Sequence, residues 1–164
     1  MIVVNVTAAE LLSPAELNPA LLVSDRIRKI LNTTALKCGD PITGVPPLAV
    51  QMDAMWTLHG AVHNGGFTLY LDDYRAEGSR QAIAMFETLG LWDHARVVLL
   101  ALGRCDPAID GLDRQGHVLE NGPFSDLDNE YWGLAGLNGP ADAYVRKHAT
   151  AFEFLVNLDD TSVS

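Results

Sequence analysis

His59 and His63 stand four residues apart. On a helix that spacing lets two imidazoles reach one divalent metal, or lets one serve as an acid or base beside the other. The surrounding sequence completes neither arrangement. The Glu that a metalloprotease helix carries between its paired histidines is replaced, and a third ligand would have to come from His94 or Asp93. The plainer reading is of two half-buried histidines on a core stripe, bonded to backbone or water. Together with Tyr70 and the pair Gly65-Gly66, where the lack of Cβ lets a ligand approach the backbone, they outline a candidate catalytic groove. Asp126, Asp128 and Glu130 open like a calcium loop, but Tyr131 occupies the sixth position that requires Gly, and Leu137 the place of the bidentate Glu. No phosphate loop, dinucleotide fingerprint or nucleophile elbow occurs. Acyl, phosphoryl and hydride transfer therefore lack support, and no cofactor is expected.

The element that must position the histidines lies in residues 52–74. Trp56, His59, His63, Phe67, Tyr70 and Tyr74 recur at intervals of three or four and so share one helical face. Each glycine of Asn64-Gly65-Gly66-Phe67 costs a helix interior about 1 kcal/mol, which close approach of another helix or a ligand can offset. We read the helix as continuing, at most with a kink; a stop with Asn64 or Gly65 in the left-handed conformation competes. Helices are expected over about 19–32, 48–64, 66–75, 79–89, 93–102, 126–133 and 140–156, from apolar periodicity and caps.

Between these, residues 33–47 form a long loop, Arg75–Gly78 a turn and 103–124 an acidic loop, while 159–164 fray. Thr7 to Glu10 and Ser13 to Glu16 each match a capping box. Val97, Val98, Leu99, Leu100 and Leu102 make one helix apolar nearly all round, as expected of a buried element. Ile2 to Val6 is a short strand candidate or extended arm without an obvious partner. The fold class is all-α: a single domain, an irregular bundle of about six to eight helices.

At 164 residues and 48% hydrophobic the chain can bury one ordinary core. Its net charge of -10 opposes nucleic acid and anionic membranes and favours basic partners or cations. Cys38 and Cys105 lack metal-type spacing and read as free thiols. Neither a signal peptide nor a membrane span is evident, so a soluble cytoplasmic protein is expected. Between Asp106 and Asp160, eleven acidic residues face three Arg or Lys. Asp106, Asp110, Asp113, Asp126, Asp128, Glu130 and Asp142 are the candidate partner-binding carboxylates, on one mostly exposed face with Leu127, Tyr131 and Leu134 turned inward. A homodimer stays open.

The order His63-Asn64-Gly65-Gly66-Phe67 with Tyr70, then Leu89-Gly90, Phe124, Leu127-Asp128, Tyr131, Tyr144-Val145-Arg146, His148 and Phe152 resembles the helical family typified by a bacterial DNA-mimic protein. The resemblance implies an all-α domain and, as in that member, an acidic surface occupying the DNA-binding site of a basic protein such as a transcription regulator. Most relatives have no assigned role. The chain departs from the pattern at Ala61, usually acidic, and at Leu69, usually Gln. Two other readings stay beside mimicry: an inhibitor of a basic nuclease or toxin, and an enzyme using the groove at His59, His63, Gly65, Gly66 and Tyr70.

Overall fold

The protein's structure, a computed structural model, describes residues 2–104 and 124–158, the side chains of 72–77 excepted. Six α-helices appear in chain order: α1 (Ala8–Leu12), α2 (Pro19–Leu31), α3 (Pro47–Thr88), α4 (Trp92–Arg104), α5 (Ser125–Trp132) and α6 (Asn138–Lys147). A short 3-10 helix spans Ala149–Phe152, and two strands, β1 (Ile2–Val6) and β2 (Phe154–Leu158), complete the described chain. The fold is mostly helical, as expected. The acidic stretch 105–123 and the tail 159–164 lie outside the described residues.

The N-terminal strand finds its partner at the other end of the chain. The two strands pair antiparallel, with Val4 opposite Val156 and Val6 opposite Phe154. The helix expected over 140–156 therefore ends early, at Lys147. Phe154 to Leu158 alternates buried and more exposed residues, a period-two pattern, and it satisfies β1's backbone groups while Val4, Val6 and Phe154 enter the core.

Thr7 closes a full capping box with Glu10 at the start of α1. The second match, Ser13 to Glu16, forms no helix: the Ser13 hydroxyl accepts the Ala15 amide at 3.2 Å and the Glu16 amide bonds back to the Ser13 carbonyl. Pro14 and the short distance to Pro19 leave room only for a turn. Pro19 opens α2 as expected, but Asn18 makes no side-chain cap. Asp142 of α6 caps it instead, accepting the Ala20 amide at 3.0 Å. Ala20, Val23, Ile27 and Ile30 face inward at helical spacing.

The helix α3 continues as one element past a left-handed joint at Gly66 and also through Arg75–Gly78, where the sequence suggests a turn. It is not straight. Phe67 and Phe86 both place their rings within 6.5 Å of the Tyr131 ring, whereas nineteen residues of straight helix would set them roughly 28 Å apart. The axis turns back between them, so the expected reversal occurs without loss of helical backbone. Gly90, at φ +72, ends the segment.

One expectation about burial is corrected. On α4, Val97, Val98 and Ala101 are buried, but Leu99 is 61% exposed, Leu100 47% and the preceding Trp92 64%. The helix is apolar nearly all round, yet the described neighbours cover only one side of it.

Candidate functional site

Gly66 has φ +73, a left-handed conformation inside α3, and the amide of the next residue, Phe67, donates to Asp128 Oδ1 at 2.7 Å. Asp128 thus acts as a cap for the helix that restarts after the joint. A Cβ on Gly66 would fall 2.5 Å from the Asp128 carboxylate, and one on Gly65 2.7 Å from the Leu69 side chain. Close approach of Asp128 from α5 accounts for Gly66, whereas Gly65 is crowded by Leu69 of α3 itself. Asn64 stays exposed and Phe67 is fully buried. The most distinctive motif of the chain is an architectural joint.

Next to the joint, Tyr131 is ringed by aromatic groups. His59, His63, Phe67, Phe86 and His94 all place their rings within 6.5 Å of it. His59 Nδ1 lies 3.3 Å from the Tyr131 hydroxyl. His63 Nδ1 lies 3.0 Å from the His59 carbonyl, which only accepts, so this nitrogen carries the proton. Burial, reinforced by His63 and His94, holds His59 down at about 4. Burial likewise lowers His94 and raises the Tyr131 phenol. Tyr131 and His94 are buried and His59 half-buried, while His63 stays exposed at the edge of the cluster, and no group of three metal-ligating side chains occurs among the described residues.

The candidate catalytic groove does not assemble from its expected members. Tyr70 is fully buried and accepts a hydrogen bond from the Ser79 hydroxyl at 3.2 Å. Gly65 and Gly66 are filled by Leu69 and Asp128, and the two histidines turn toward Tyr131. A cavity does exist on another face of α3, lined by Asp53, Thr57, Gly60 and Asn64 together with α2, Leu36 and Cys38. Ala61 and Leu69, the two departures from the family pattern, both line it. Nothing in the sequence marks this cavity except the spacing of small residues at 57, 60 and 61. Cys38, on its wall, has its thiol pushed up to about 12 by burial and by Asp53, which leaves it a poor nucleophile.

Of the candidate carboxylates, Asp106, Asp110 and Asp113 lie outside the described residues. Asp126 and Glu130 are exposed on α5 while Leu127 and Tyr131 turn in, as helical spacing requires. Each meets an arginine of α4. Arg104 grips Asp126 through both nitrogens, at 2.7 Å for the Nη1 to Oδ1 bond, and holds its carboxyl down at about 2. Arg96 pairs with Glu130. Asp128 and Asp142 are half-buried and cap α3 and α2. Among the described residues Arg146 makes no ion pair with a carboxylate; it donates to the carbonyls of Leu11, Ser13 and Glu16 and pins that turn.

The model of one known family, DMP19-like protein, matches residues 44–148. The chain belongs to the DMP19-like family. No curated protein and no solved structure matches it. The matched region runs from α3 through α6 and includes the Gly65-Gly66 joint, Asp128 and the Tyr131 cluster. Among the described residues no helix is long and apolar enough to cross a membrane.

Proposed function

We propose that this DMP19-like chain is a non-catalytic protein-binding domain that docks a basic partner through the outer face of α4 and the carboxylates beside it. The observation that carries the reading is the exposed set Trp92, Leu99 and Leu100 next to exposed Asp93, Asp126 and Glu130. Aromatic and aliphatic anchors with a polar rim are the usual anatomy of a protein interface, and a net charge of -10 draws in basic proteins. The Arg96 and Arg104 pairs draw Asp126 and Glu130 into fixed positions, so part of the local charge is spent in holding α5 to α4.

The partner class follows from the family resemblance. It is a DNA-binding protein such as a transcription regulator, whose DNA competes for the surface that this chain occupies. Asp106, Asp110 and Asp113, which lie outside the described residues, are proposed to contribute further negative charge to this chain's docking face. The test is capture of partners by the immobilised chain, followed by gel-shift competition between each partner, its duplex DNA and this protein. Release by duplex DNA and by salt, lost in D106K/D110K/D113K, is the expected result. A captured protein that binds its DNA unchanged in the presence of this chain overturns the proposal.

A further inference from the structure

The cavity between α2 and α3 measures about 470 Å³, inside the range of small-molecule sites. Asp53 stands in its wall with a side chain only 1% exposed. Both donors that reach this carboxylate come from α2 and both go to Oδ1: the Ser24 hydroxyl at 2.7 Å and Arg28 Nε at 3.3 Å. Oδ2 is buried and has no hydrogen-bond partner. Tying α2 to α3 requires Oδ1 alone, and a buried acceptor without a donor is costly. Burial accordingly holds the Asp53 carboxyl above the ordinary range.

The surroundings are consistent with room kept for a ligand. Gly60 lies on the same face of α3, and a Cβ there would meet nothing within 4 Å. Packing and backbone conformation do not demand glycine at this position; its effect is to leave the space open. Leu31, Leu36 and Leu69 supply apolar wall, and the Arg28 side chain, 45% exposed, pairs with Asp53 Oδ1 through Nε.

We infer that this cavity binds a small zwitterion of the free α-amino acid class. The ligand's ammonium group donates to Asp53 Oδ2, its carboxylate meets the Arg28 guanidinium, and its apolar side chain lies against Leu31, Leu36 and Leu69. An acid and a guanidinium side by side match an ammonium and a carboxylate one carbon apart, which neither a simple amine nor a simple acid can do. The site lies on a different face of α3 from the Tyr131 cluster and is independent of the partner-binding reading.

Calorimetry on the full chain tests this with three probes of one shape: L-leucine, isocaproate, which lacks the ammonium, and isoamylamine, which lacks the carboxylate. Saturable leucine binding at millimolar concentration is expected, with each truncated probe at least about tenfold weaker. D53N keeps an acceptor for Ser24 but loses the charge, and G60L fills the space while improving helix propensity. Each should weaken leucine by at least about tenfold, and G60L should leave the thermal midpoint no lower, so that lost binding cannot be charged to unfolding. Absence of leucine binding, equal binding of isocaproate or isoamylamine, or leucine binding undiminished in G60L overturns the inference.

Discussion

At the residue scale, function and stability separate at Tyr131 and Gly66. Burial holds His59 at about 4 against an ordinary 6.5, and it lowers His94 in the same direction. A folded value below the unfolded one means that the unfolded chain binds the proton more tightly. Their contribution to stability is then fully present above about pH 6.5 and is lost as pH falls toward 4. The thermal midpoint should drop over that window, and His59→Gln should flatten the drop without abolishing helicity; an equally steep profile in the variant would refute the assignment. Gly66 gives a second residue-scale outcome. Gly66→Ala combines a left-handed backbone with a clash against Asp128 and should cost at least about 1 kcal/mol in urea denaturation. Gly60→Ala should instead stabilise by up to about 1 kcal/mol, since its Cβ meets open space. Asp128→Ala should cost about 1–3 kcal/mol by leaving the Phe67 amide unpaired.

At the element scale, what the sequence discloses depends on whether the cause is local. The caps at Thr7, Pro19 and Gly90 and the core positions Phe67 and Tyr70 of α3 were legible because each is fixed by neighbours within one or two turns, whereas His63 of the expected stripe is exposed. The end of α6 was not: Phe152 and Leu155 continue a helical spacing, and only the unpaired β1, some 150 residues away, decides that Phe154 to Leu158 extends as a strand. The joint at Gly65-Gly66 was half legible. Glycines announced a close approach, but the approaching group, Asp128, is contributed from α5 and looked like a surface carboxylate. Asp142 misled in the same way, since its role is to cap α2 from α6. Asp142→Ala should therefore lower stability by about 0.5–2 kcal/mol. Asp126→Asn, at an exposed pair, should cost no more than about 1 kcal/mol. A cost for Asp126→Asn exceeding that of Asp142→Ala in the same denaturation series would reverse the two roles. The cavity at Asp53 was the least legible, because it exists only where α2, Leu36, Cys38 and α3 meet.

At the scale of the whole molecule, the proposed association would use the charge of -10 and the exposed face of α4 at different stages. Long-range attraction raises the rate at which a basic partner arrives, and it is screened over a Debye length of about 10 Å at 0.1 M salt. In the proposed complex, short-range burial of Trp92 and Leu99 would set how long the partner stays, with little sensitivity to salt. The two contributions can be read separately by surface plasmon resonance once a partner is in hand. Charge reversal in D106K/D110K/D113K should slow association and reduce its salt dependence, with little change in dissociation. Trp92→Ala should leave association unaltered and speed dissociation by at least about tenfold, because truncating a central aromatic anchor costs about 2 kcal/mol or more. Stability should stay within about 0.5 kcal/mol in the Trp92→Ala variant, the side chain being 64% exposed in the free protein. If Trp92→Ala leaves dissociation as slow as in the parent chain, the α4 face is not the anchor, whatever the carboxylates contribute to arrival.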